Sequence, residues 1–128
     1  MINKLKDNIL FINPDDTSKS IIFNLKSWIH IIEAIIEKYA GKTNKEAKDM
    51  LFSSFLIKNF HAENYNNVFF YCHESEYHWA MLISYGNLYW LKGISSDEPE
   101  GYFEWENQYR KKHNLAEESF VFSEPHHK

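Results

Sequence analysis

The single cysteine of the chain, Cys72, stands near three histidines, His61, His73 and His78. A thiol nucleophile needs a base within reach and a neighbour that lowers its pKa. Here the flanking charges are Glu74 and Glu76, which disfavour a thiolate. Cys72 also ends the apolar run Val68-Phe-Phe-Tyr-Cys72, where it reads as a small core side chain. His73 and His78 are five apart across a turn and, with Glu74 or Glu76, are a conceivable metal pair. Structural zinc draws on cysteine pairs or closer histidines, and two solvated histidines explain the spacing equally well. Glu104 and Glu106 are two apart, so on a helix they diverge and form no catalytic pair. The expectation is a protein that is not an enzyme and holds no cofactor and no metal. A small Cys-His hydrolase is the enzymatic alternative.

Charge beside aromatic side chains is the stronger pattern. Residues 1–60 carry nine lysines against seven acids, whereas residues 61–128 carry eleven acids against five bases. The net charge of −4 hides that division. Asp97, Glu98, Glu100, Glu104 and Glu106 follow one another with no Lys or Arg between them. Such a surface repels phosphate and argues against nucleic acid. It attracts a basic protein and speeds association with it. A solvated acidic face with charges at helix ends is the plainer account of the same residues. Trp79, Tyr85, Tyr89, Trp90, Tyr102, Phe103, Trp105 and Tyr109 crowd into residues 79–109. A shared core accounts for any one of them. Those it cannot bury must lie at the surface beside the acids, which is the composition of a protein interface. The candidate partner-binding residues are therefore Glu74, Glu76, Tyr85, Asp97, Glu98, Glu100, Tyr102, Glu104, Trp105 and Glu106.

The elements that must position these residues follow from periodicity. The 128 residues are 44% hydrophobic with four Gly and three Pro, enough for a single domain over 1–128 with its own core. With one cysteine no intrachain disulfide forms, and a cytoplasmic location is expected. No targeting segment is visible in Met1–Phe11, and polar residues interrupt Ile21–Ala40 too often for a membrane span. Ile9-Leu-Phe-Ile12 reads as a strand closed by Asn13-Pro14. Ile21, Leu25, Trp28, Ile32, Ile35 and Tyr39 mark one face of a long helix over 18–40, with Ile22, Ile29 and Ile36 on a second buried face. Thr43-x-x-Glu46 is a capping box opening a second helix with Ala47, Met50, Leu51 and Phe55 as its apolar face. Residues 68–92 read as a three-stranded meander turning at Glu74-Ser-Glu76 and Gly86-Asn87. A third helix starts near Ser96 and Pro99, with acids at its start and Arg110, Lys111, Lys112 and His113 at its end, as a helix dipole favours. Glu118–Ser123 reads as a closing strand, and Glu124–Lys128, with His126-His127, as a frayed tail. The predicted fold class is α+β: an antiparallel sheet of about four to five strands with helices on one face, ordered β-α-α-β-β-β-α-β.

The stretch HWAMLISYGNLYWLKGISSDEPEGYFEWENQYRKKHN, with the size, the acidity and the prominence of Asn, Lys, Ile, Tyr and Phe, resembles bacterial immunity proteins of the contact-dependent growth inhibition type. The resemblance covers about a third of the chain. It implies a cytoplasmic protein, monomeric or weakly dimeric, that binds a cognate basic toxin domain and blocks its active site. Such toxins are often nucleases, including ones that cut transfer RNA. The immunity protein itself would touch neither nucleic acid nor membrane. A phage-type inhibitor of a nuclease effector would use the same acidic surface.

Overall fold

The computed structural model describes residues 5–123. Among them are three strands, β1 (Ile9–Ile12), β2 (Ser20–Phe23) and β3 (Phe120–Ser123), and six α-helices. The helices are α1 (Leu25–Tyr39), α2 (Asn44–Phe52), the single turn α3 (Phe55–Lys58), α4 (Tyr65–Tyr71), α5 (Glu76–Tyr85) and α6 (Tyr102–Lys112). A 3-10 turn spans Tyr89–Lys92. The sheet is antiparallel in the order β1-β2-β3, so the chain is α+β. His126 and His127 lie outside the described residues.

Register explains the two sheet faces. Ile9, Phe23 and Phe120 oppose one another across the three strands, as do Leu10, Ile22 and Val121. Directly opposed residues share a face. Phe23 is fully buried and stacks on Phe120 at 4.6 Å, whereas Leu10 and Val121 are exposed. The long central helix expected from the sequence is present, but it begins at Leu25. Ser20–Phe23 is strand, because Asn24 breaks the run. α1 is buried nearly all round, with Trp28, Ile29, Ile31, Ile32, Ile35 and Ile36 inaccessible or almost so. It packs against α5, α2 and α6, while α4 meets the sheet. Trp28 joins the layers, edge-on to Phe23 at 5.4 Å and to Tyr71 at 5.6 Å.

The meander over 68–92 is corrected: these residues form α4, α5 and the 3-10 turn. The sheet accordingly has three strands, not four to five, in the order β-β-α-α-α-α-α-α-β. The apparent alternation in Tyr77–Ile83 also fits a helix that buries Tyr77, Ala80 and Met81 at i, i+3 and i+4, with Trp79 buried as well. Local capping decides between the periods. Asn64 accepts from Asn67 N at 2.9 Å, and Ser75 accepts from His78 N at 3.1 Å, so each starts a helix. The expected turn at Glu74–Glu76 is that cap. The expected hairpin at Gly86 is the C-terminal end of α5, where a φ of 88° suits glycine. The capping box at Thr43 and Glu46 is present. Its helix buries Ala47 and Leu51, but Phe55 belongs to α3 and is exposed. The third helix starts at Tyr102 after Gly101, so Glu104 is in its first turn and Asp97, Glu98 and Glu100 precede it.

Both ends of the described chain meet at the start of α1. Asp7 Oδ1 accepts from Ser27 N at 2.9 Å, capping the helix from 20 residues away. Ser27 Oγ donates to Asp7 Oδ2 at 2.8 Å and accepts from Ala116 N at 2.8 Å. The buried Asn24 side chain accepts from Asn8 N and donates to Glu118 O. Ser27→Ala should leave Ala116 N without its acceptor and cost about 1–3 kcal/mol in urea unfolding. Amide exchange should accelerate first over residues 114–119; unchanged exchange there would show that Ser27 does not hold this segment.

Candidate functional site

Arg110 is the most buried charged side chain of the second half, with its side chain 3% exposed. It sits on α6 at the spacing i, i+3, i+4, i+7 with Phe103, Glu106 and Asn107, which places the four on one face. Its Nε donates to Glu106 Oε2 at 2.8 Å, and its Nη2 lies 2.7 Å from the same oxygen. Nη2 also reaches Glu76 Oε2 at 3.3 Å and Ser119 Oγ at 3.2 Å, and Nη1 donates to Ala116 O at 3.0 Å. The guanidinium fork is thus engaged on three sides and is no receptor for an added anion.

Around it lies a cleft of about 360 Å3, lined by Glu76, Glu106, Glu117 and Glu118 together with Cys72, Phe103, Ser119 and Phe122. A second lobe of about 350 Å3 continues past Asn107, Lys111 and Leu115. Arg110 offsets Glu76 and Glu106. Glu117 and Glu118 are exposed, and among the described residues neither carboxylate has an ion-pair partner. The cleft is therefore negative, and its walls carry two accessible rings, Phe103 at 63% and Phe122 at 50% exposure. Such a site suits a cationic side chain with an apolar stem.

The structure brings together only part of the predicted interface. Glu76 and Glu106 share Arg110, so both are structural ligands before they are anything else. Tyr102 is buried in a ring cluster with Tyr39, Tyr77 and Trp105, which removes it from any surface. Burial, then the charge of Glu106, keeps its phenol protonated far above the ordinary tyrosine range. Trp105 and Tyr85 are half-buried. Asp97, Glu98, Glu100 and Glu104 do not line the cleft, and Glu74 lies across the Cys72–Ser75 turn, 3.7 Å from His78. Sequence reasoning missed Arg110, Glu117, Glu118, Phe103 and Phe122. The i, i+4 pair Glu106 and Arg110 is the available signal, but by sequence Arg110 reads as helix-end charge and Glu106 as part of the interface.

Cys72 follows α4 rather than lying in a strand, and it is half-buried. Its Sγ donates to Phe69 O at 3.2 Å, and burial pushes the thiol pKa up. The neighbouring His73 uses Nδ1 on the same Phe69 carbonyl at 2.7 Å, so no base is paired with the thiol there. Among the described residues, no group of three or more His, Cys, Asp or Glu side chains is placed to hold a metal ion.

Arg110→Met should leave Glu76 and Glu106 facing each other without their cation. The expected destabilisation is about 3 kcal/mol at neutral pH. Glu76→Gln with Glu106→Gln added to that variant should recover most of the loss in urea unfolding. No recovery would assign Arg110 a packing role alone.

Compared with known protein families, characterised proteins and solved structures, the chain matches none.

Proposed function

We propose that this protein is a cytoplasmic, non-enzymatic binder of a basic protein, of the immunity type, and that the Arg110 cleft with its acidic rim is the surface that meets the partner. The observation that carries this reading is the coincidence of Glu117 and Glu118, without an ion-pair partner among the described residues, with the exposed rings of Phe103 and Phe122 around one cleft. Carboxylates supply long-range attraction for a cationic partner. The rings supply apolar contact that water must leave, which is where binding energy concentrates. The exposed Asp97, Glu100 and Glu104 widen the negative field. The resemblance to immunity proteins of contact-dependent growth inhibition supplies the kind of partner, a toxin domain whose own cleft is basic because its substrate is nucleic acid. Blocking that cleft needs no cofactor and no catalysis by this chain. No helix among the described residues is long and apolar enough to cross a membrane. The hydrolase alternative is disfavoured by the engaged, raised thiol of Cys72.

The test is a paired retention experiment in the cells that make the protein. Wild type and the double variant Glu117→Lys, Glu118→Lys are immobilised at low and at about 0.5 M salt. Both residues are exposed, so the variant should melt as wild type does. Wild type should retain a protein of pI above about 9 at low salt, release it at high salt, and lose it in the variant. Phe103→Ala should bind the same partner with at least about tenfold faster dissociation. Retention of the partner by the charge-reversed variant at low salt would remove the cleft from the interface.

A further inference from the structure

The outward side of α5 is the floor of a different surface, apolar where the Arg110 cleft is charged. The buried Trp79 and the half-buried Leu82 and Ile83 lie at i, i+3 and i+4 between α3 and α4. Toward the end of α5 they line a cavity of about 460 Å3 with Phe55 and Leu56. Toward its start, Trp79 and Leu82 line one of about 370 Å3 with Phe70, His73, Glu74 and His78. Because Trp79 and Leu82 belong to both, the two cavities are one groove along the helix. Phe55 and Phe70 form its walls, 75% and 57% exposed. Rings left this open beside a common hollow are unusual on a surface with nothing to bind.

Three features define what fits. First, three of the groove's polar side chains are already engaged. Ser54 Oγ donates to Leu51 O, His73 Nδ1 meets Phe69 O at 2.7 Å, and His78 Nδ1 meets the Tyr89 hydroxyl at 2.8 Å. Asn87 and Glu74, at the two ends, are too few to pair the backbone of an extended peptide laid here, whereas a helix arrives with its own bonds made. Second, the groove follows α5, whose ten residues span about 15 Å at 1.5 Å per residue, nearly three helical turns. Third, among the described residues Glu74 alone brings a fixed charge to the lining, and no Lys or Arg lines the groove. We propose that the α5 groove docks an amphipathic helix of a partner protein, seating apolar side chains on Trp79 and Leu82 and a cationic side chain over Glu74. This does not rest on the reading of the Arg110 cleft.

The probe is a synthetic helix of about 14 residues with Leu at i, i+3, i+4 and i+7 and one Arg, made with the Arg at either end. It is titrated into the whole protein and followed by tryptophan fluorescence and amide chemical shifts. One orientation should bind saturably, with shifts confined to α3, α4 and α5. Phe55→Ser, on a residue too exposed to disturb the core, should weaken it by about tenfold. Glu74→Gln should weaken it by about threefold, and the Glu117, Glu118 reversal should leave it unchanged. A peptide with serine in place of leucine should not bind. Absence of saturable binding in both orientations, or indifference to Phe55→Ser, overturns the proposal. So does a concentration-dependent dimer abolished by Phe55→Ser, which would assign the groove to a second copy of the chain. Partition onto anionic lipid vesicles lost in the same variant overturns it too, in favour of a membrane surface.

Discussion

The first turn of α1 is the constraint on which the rest depends. A helix N-terminus leaves backbone N–H groups without intrahelical partners, and Asn24, which stands at the cap position, does not use its side chain there. Asp7 fills that role from outside the helix and in doing so brings in the chain before β1. Ser27, one turn in, passes the connection on to Ala116, and Asn24 ties Asn8 to Glu118. Three segments far apart in sequence are thereby pinned at one buried point. The three-stranded sheet is short, with four residues in each strand, and a sheet of that size needs packing and clamps to persist.

The same node positions the cleft. Ala116 donates its N–H to Ser27 and offers its carbonyl to Arg110; Ser119 accepts Asn24 N at 2.7 Å on its carbonyl and meets Arg110 with its hydroxyl. Segment 116–119 is thus held between α1 and the guanidinium, and Glu117 and Glu118 project from a fixed stretch rather than a loose loop. Arg110 also settles what the acidic half means. Two of its carboxylates are spent on a nearly buried cation, where breaking the set is costlier than its net contribution to stability suggests. The remaining acids form the external field.

The sequence made some of this legible. Hydrophobic spacing in Ile29–Ile36 marked a helix buried on several sides, and it is. Ile9–Ile12 is recognisable as a strand because Asn13-Pro14 closes it, and the closing strand expected over Glu118–Ser123 is present but begins at Phe120. Val68–Lys92 was not legible, because β-branched and aromatic side chains there satisfy both periods, and what selects the helix is a pair of caps plus burial against α1. The missing strand, Ser20–Phe23, was hidden for the converse reason: its apolar residues continue the register of α1, and only Asn24 separates them. The cleft was half legible. Its acids were visible as a charge imbalance, but which acids converge depends on contacts such as Arg110 with Glu76, 34 residues apart. No local pattern encodes that.

The two surfaces divide along the Cys72–Ser75 turn. Cys72 and Glu76 face the charged cleft; His73 and Glu74 face the apolar groove. Charges at a solvated rim act mainly on the rate of encounter and fade with salt. Desolvated rings act mainly on the rate of escape and do not. A partner wide enough to cover this turn would meet both terms at once. A basic protein lacking an exposed apolar helix would engage the cleft alone, arriving quickly and leaving quickly. On the proposed reading, in which charge alone does not distinguish one basic protein from another, selectivity would therefore have to come from the rings. Phe55 and Phe70 are exposed at a cost in solubility that the folded chain alone does not explain, and discrimination between partners of like charge is a physical return for it.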